Sequence, residues 1–194
     1  VHKADSPNYL FIDLAISPEI KSEYNFEMGF SKGNQDTVIK FPIYARENSK
    51  NKFQGFNQSD VMYLIMADRF CDGNLANNKI GDSLDQFTAK DLNGRKGGDI
   101  EGITSKLDYL KDLGVTSIWI TPMLENNMYM SYHGYAATDL YKIDPRFGNN
   151  ELYKELVNKA HDEGLKIIMD HVSNHIGINH WWMKDLPFAS WING

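Results

Sequence analysis

Val61-Met62-Tyr63-Leu64-Ile65-Met66-Ala67 is an unbroken apolar run, the pattern of a strand buried on both faces. Downstream, Ile103, Leu107, Leu110 and Leu113 recur at helical spacing, with Gly114 in the position that closes a helix. Val115-Thr116-Ser117-Ile118-Trp119-Ile120 then reads as a second strand, stopped by Pro122. Leu152, Leu156, Val157 and Ala160 give a second helix, entered at Asn149-Asn150 and closed by Gly164. Leu165-Lys166-Ile167-Ile168-Met169 is a third strand. Strand, helix, strand, helix, strand means right-handed βαβ units on a parallel sheet. Each strand runs into a polar residue at its C-terminal end: Asp68, Thr121 and Asp170. Ligands bind at that end in open α/β sheets and in (β/α)8 barrels.

Upstream the period changes. Tyr9 to Ile16 partly alternates and Ser17-Pro18 stops it. Tyr24 to Phe30 alternates with aromatics and Met on one face. Thr37 to Tyr44 is a third strand, with Pro42 favouring an edge or a bulge. Three such strands with polar turns are part of a β-sandwich. The polar stretch Arg46 to Lys52 separates the two patterns, giving domains over 1–52 and 53–194.

The 194 residues are 42% hydrophobic and 12% aromatic, enough for a packed core and unlike a disordered chain. A net charge of −6 without a basic block argues against nucleic acid or an anionic membrane as partner. No apolar run approaches the roughly 20 residues of a membrane span. Cys71 is the single cysteine, a small packed residue with no disulfide partner in the chain. The start at Val1-His2-Lys3, with no initiator Met or apolar leader, reads as a chain processed or cut from a longer one.

Four segments could carry chemistry. In the loop after the first strand, Asp72, Asn74, Asn77 and Asn78 offer the hard oxygens that Ca²⁺ takes in sets of six to eight. From these residues alone a plain turn is the simpler reading, since Asp, Asn and Gly dominate turns. Gly97-Gly98-Asp99 serves equally as a helix-entry turn capped by Asp99. Ser131-Tyr132-His133-Gly134-Tyr135 sets an imidazole and phenols beside a glycine, which suits a sugar or a loop packed down by its aromatics. Asp170-His171-Val172-Ser173-Asn174-His175 ends the third strand. His171, His175 and His180 raise zinc, but the Glu of a H-E-x-x-H helix is missing, and hydrogen-bonded packing under the strand ends explains the histidines. Trp181, Trp182 and Trp191 are sugar platforms or core aromatics.

Taken in order, these segments resemble the α-amylase family of glycoside hydrolases, in its neopullulanase/cyclomaltodextrinase branch of Bacteroidetes starch-utilisation type. Asp170 to His175 matches the family's first conserved region, His133-Gly134-Tyr135 stands at the family's separation upstream, and Gly114 to Pro122 matches its second-strand motif. Gly177 to Trp191 is similar to the Bacteroidetes branch. The resemblance implies the first three βα units of a (β/α)8 barrel, preceded by part of an N-terminal β-sandwich. It implies that Tyr135 stacks beneath a glucose ring, that His133 and His175 bond its hydroxyls, and that Asp170 holds the network without attacking. It also implies a calcium site of Asp72, Asn74, Asn77, Asn78, Asp99 and the Gly97 carbonyl, with Asn174 matching a ligand of a second site that this branch often lacks.

The activity so implied is retaining hydrolysis of α-1,4 or α-1,6 bonds in cyclodextrins, pullulan or starch oligosaccharides. Retention needs two carboxyl groups about 5–5.5 Å apart. The family carries its nucleophile, acid/base and a further Asp on strands four, five and seven, expected beyond Gly194, and a whole barrel takes about 250 residues. The chain is therefore expected to be an inactive N-terminal fragment whose parent is extracytoplasmic, periplasmic by resemblance, and a homodimer through its N-terminal domain. Two other readings stay open: a non-catalytic glucan-binding or scaffold protein of the same fold, and an interaction domain.

Overall fold

The computed structural model describes residues 1–45 and 55–193. Two compact units emerge, Val1–Gly55 and Phe56–Gly194. The boundary expected between 52 and 53 lies outside the described residues.

In the first unit, β1 (His2–Lys3) pairs antiparallel with β2 (Leu10–Phe11). The strand expected over Tyr9 to Ile16 is thus only two residues long, because β1 offers just two residues of ladder. A hairpin of β3 (Tyr24–Lys32) and β4 (Gln35–Ile43) follows, in register Phe26↔Phe41 and Met28↔Ile39. Pairs in register share a face, so the apolar side chains gather on one side. Glu27 and Lys40 pair at 3.1 Å on the other. Pro42 does lie on an edge, since the hairpin is a sheet of two strands.

The second unit is built on a parallel sheet, β5 (Met62–Ile65), β6 (Ser117–Ile120) and β7 (Lys166–Met169), in spatial order β5-β6-β7. Between β5 and β6 come α1 (Ala67–Phe70), α2 (Ile100–Thr104) and α3 (Leu107–Asp112); α4 (Asn150–Asp162) joins β6 to β7. The first strand is shorter than its apolar run, which passes into α1 at Ala67. Only one of its faces is covered by the described chain: Ile65 is 1% exposed, but Leu64, on the opposite side, is 54% exposed. The core lies under the covered face, where Ile65, Ile118 and Ile120 meet Ile103, Leu110 and Leu156.

The helix expected across Ile103 to Leu113 is broken in two. Thr104 Oγ1 donates to the Ile100 carbonyl and Ser105 Oγ to the Gly102 carbonyl, and Lys106 N bonds only three residues back, to Ile103. Hydroxyl back-bonding of this kind competes with the helical ladder. Leu113 consequently falls at the end of α3 and is exposed, while Leu110 is buried. Helix α4 matches its pattern: the Asn149 side chain accepts from Leu152 N at 2.9 Å, and Gly164 turns left-handed so that Leu165 N reaches the Ala160 carbonyl at 2.8 Å.

One side chain ties the sheet together at its N-terminal end. Asp60 accepts from Lys166 Nζ at 2.9 and 2.8 Å, from Thr116 Oγ1 at 2.8 Å and from Asn57 N at 2.7 Å. Those partners, the Lys166 hydrogen bond first, lower its pKa from 3.8 to about 2. A depressed carboxyl stabilises the fold above its unfolded pKa and loses that contribution as pH falls through the folded one. Acid titration followed by circular dichroism should therefore show stability falling between about pH 4 and pH 2. In Asp60→Asn that step should flatten; an unchanged acid limb would contradict the clamp.

Candidate functional site

The loops after β6 and β7 meet at the C-terminal end of the sheet. Asp170, the residue after β7, accepts on one oxygen, Oδ2, from Tyr135 Oη at 2.8 Å and from Trp119 Nε1 of β6 at 3.1 Å. His175 Nε2 lies 2.8 Å from the Tyr135 carbonyl, and a proton on Nε2 makes that a donor bond. His175 Nδ1 is left to accept from Asn174 Nδ2 at 3.3 Å. His133 Nδ1 accepts from Tyr135 N at 3.0 Å, and the two rings lie stacked with centroids 5.7 Å apart. Gly134, between them, has φ +89°, and a Cβ there would stand 2.0 Å from the Pro122 carbonyl oxygen. Only glycine lets the loop press so close to the strand end. The four residues singled out from the sequence, His133, Tyr135, Asp170 and His175, are thus one hydrogen-bonded set.

The electrostatics suit binding to uncharged hydroxyls. Burial, with the hydrogen bond to Asp170, pushes the Tyr135 phenol up to about 12, so it stays a neutral donor. Burial, then the charge of Arg95, holds His133 below the ordinary histidine value. Among the described residues Asp170 is the one carboxylate hydrogen-bonded into this set. The Trp119 contact was not read from the sequence, where its indole passes for core. Arg69 was also missed: its guanidinium carbon lies 3.9 Å above the Tyr132 ring. The neighbouring Asp68 is 2% exposed, takes Lys96 N at 3.1 and 2.9 Å, and has its pKa raised by burial.

A second cluster joins the loop after α1 to the entry of α2. Asp99 caps α2, and its two oxygens accept from Gly102 N, Gly73 N, Asn74 N and Asn77 Nδ2 at 2.7–3.1 Å. Asn78 Nδ2 donates to Asp72 Oδ2 at 2.7 Å. A Cβ on Gly97 would stand 2.3 Å from Asn78 Oδ1 and 2.6 Å from Asp72 Oδ2, so the backbone of Gly97 closes the cradle. All six expected ligand residues are therefore neighbours. Three of their oxygens, Asp72 Oδ1, Asn77 Oδ1 and Asn78 Oδ1, are buried without a hydrogen-bond donor. Buried acceptors left so are costly, and a hard cation is the partner their chemistry fits. The oxygens of Asn74 and Asp99 are instead taken up by backbone N–H groups and, on Asp99 Oδ2, also by Asn77 Nδ2.

No three His, Cys, Asp or Glu side chains converge on a point that could hold a metal, among the described residues. His180 is fully buried, its Nδ1 accepting from Trp182 N at 3.1 Å and its ring packed 3.9 Å from that of Trp181. Trp181 and Trp191 are each 39% exposed, so neither is a fully buried core aromatic.

The comparisons with known proteins point to one family. The family model for the α-amylase catalytic domain matches residues 64–187, and that for the cyclomaltodextrinase N-terminal domain matches residues 1–47. The chain is 40% identical over 146 residues to a cyclomaltodextrin glucanotransferase of Bacillus sp. (strain 1-1), covering 71% of this chain and 20% of that protein. It is 32% identical over 180 residues to neopullulanase 2 of Thermoactinomyces vulgaris, covering 91% of this chain and 30% of that one. The crystal structure of an Anoxybacillus α-amylase superposes with a TM-score of 0.59 at 41% identity, over 65% of this chain and 26% of its own. The chain thus covers between 20% and 30% of the length of the three proteins just named. With the two models falling in order along it, the chain belongs to the α-amylase family, a catalytic-domain segment behind an N-terminal domain of cyclomaltodextrinase type.

Proposed function

We propose that this chain supplies the sugar-holding half of the active site of a retaining α-glucan hydrolase, acting on cyclodextrins, pullulan or starch oligosaccharides. The observation that carries the reading is Tyr135, a residue 37% exposed at the strand ends whose hydroxyl is tied to Asp170. A partly exposed ring, held at its hydroxyl and backed by the His133 ring, can serve as a platform for the apolar side of a glucose unit. His133, its Nδ1 held by Tyr135 N, keeps Nε2 for a sugar hydroxyl, and His175 would reach one by giving up its 3.3 Å contact with Asn174. Asp170 orients the phenol and is no nucleophile here. Two carboxyl groups about 5–5.5 Å apart are needed for retention, so the 194 residues by themselves should hydrolyse nothing, the reacting carboxylates coming from elsewhere in the parent enzyme.

In the full-length enzyme, Tyr135→Ala should raise KM for maltoheptaose about tenfold to a hundredfold, on the order of 1.4–2.7 kcal/mol, while Tyr135→Phe keeps most of the affinity. An unchanged KM in Tyr135→Ala would remove the sugar platform. Glucan affinity without turnover in the full-length protein would favour the non-catalytic binder of the same fold.

The orphaned oxygens of Asp72, Asn77 and Asn78 support calcium as the resident ion, with the Gly97 backbone packed close against Asn78 and Asp72. Its contribution would be structural, cross-linking two loops and neutralising Asp72. An ion that binds only the folded state at a hundred times its Kd stabilises by about 2.7 kcal/mol. Melting followed with excess calcium and with a chelator should accordingly differ by several degrees, and Asp72→Ala should erase the difference. Equal melting temperatures in the unaltered protein would exclude the ion. An extracytoplasmic parent, periplasmic by family, and a homodimer through the N-terminal domain complete the proposal.

A further inference from the structure

Asp144 is fully buried, and its carboxylate takes hydrogen bonds from Arg146 and Asn126 of the loop after β6. Its Oδ1 accepts from Arg146 N and Nε at 2.9 and 2.8 Å. Its Oδ2 accepts from an Arg146 guanidinium nitrogen at 2.6 Å and from Asn126 N at 3.0 Å. That same Arg146 nitrogen donates to the Asn126 carbonyl at 2.9 Å, and the other terminal nitrogen reaches the Asp85 carbonyl at 2.6 Å. Arg95, 2% exposed, stands 3.5 Å from Asp144 Oδ2 as a second cation. One buried ion pair therefore grips both the N–H and the C=O of Asn126.

The grip continues toward the sugar residues. Ser131 is 2% exposed, and its Oγ lies 3.0 Å from the Asn126 carbonyl and 3.0 Å from the Met128 carbonyl, one proton shared between them. Gly134 N donates to the Ser131 carbonyl at 3.0 Å. Just before Ser131, Met130 has φ +54°, the one non-glycine residue with positive φ among those described. Such a conformation persists only where its surroundings over-determine it. Lacking the hydroxyl anchor, the turn loses a reason to hold Met130 there, and His133 and Tyr135 follow within five residues.

We propose that Ser131 and the Asp144–Arg146 pair are positioning residues of the sugar site: the pair fixes Asn126, Asn126 fixes Ser131, and Ser131 sets the turn that presents His133 and Tyr135. This rests on the glucan reading above. It assigns to residues that touch no substrate a share in binding it, and it makes the ion pair more than core filling.

The test uses Ser131→Ala in the full-length enzyme, a change that leaves the ion pair intact and alters volume little. Removing one partner of the pair would risk the fold. Amide exchange of the segment 132–136 reads the loop without any sugar, and KM for maltoheptaose reads its consequence. The expected result is exchange faster by about tenfold in 132–136 and KM raised about three- to tenfold, with kcat less affected. In a Tyr135→Ala background the KM effect of Ser131→Ala should shrink to the part carried by His133, since coupled residues are not additive. Unchanged exchange overturns the positioning role, and so does faster exchange with KM unaltered or with additive KM effects. Should Tyr135→Ala alone leave KM at its starting value, the glucan reading is what has failed, and the inference falls with it.

Discussion

The carboxylate of Asp144 is the constraint around which the loops at the strand ends are arranged. A buried charge is expensive unless paired and hydrogen-bonded, and removing one partner of a buried pair typically costs about 3–5 kcal/mol. Here Arg146 neutralises it directly and Arg95 stands beside it, holding its pKa below the usual carboxylate value against the opposing effect of burial. The remaining acceptor capacity of Asp144 goes to Asn126 N. Since Arg95 also lies two residues before Gly97 and bridges to Phe87, the cluster links the candidate calcium loop to the candidate sugar loop. Two binding elements far apart in sequence thereby share one buried electrostatic centre.

The sheet divides labour between its ends. At the N-terminal end Asp60 clamps Lys166 and Thr116, a contact concerned with holding strands in place. At the C-terminal end Asp170, Tyr135, Trp119 and His175 form a set whose outer surfaces stay open. Barrels of this kind place their binding groups at the C-terminal ends of the parallel strands, and the candidate residues here stand at that end.

Much of the fold was legible because its signals are local. The apolar runs located β5, β6 and β7, and Asn149 and Gly164 marked the ends of α4. The break between α2 and α3 was not, because it turns on Thr104 and Ser105 choosing backbone carbonyls over solvent, which spacing does not reveal. Of the site, His133, Tyr135, Asp170 and His175 were readable through resemblance, and the geometry joins them. Arg95, Asp144 and Arg146 were not singled out. Charged residues usually lie outside, and their partnership spans some fifty residues of chain, so no periodicity announces their burial. Trp119 was read for its apolar bulk, while its indole N–H carries the contact with Asp170.

The proposed site depends on Tyr135 receiving a glucose unit. A crystal structure of the full-length protein with a slowly cleaved maltooligosaccharide tests it most directly. The account predicts a glucose ring stacked on Tyr135, with hydroxyls within hydrogen-bond distance of His133 and His175 and the Tyr135–Asp170 contact intact. A sugar bound elsewhere in the protein, with the face of Tyr135 bare, would contradict it.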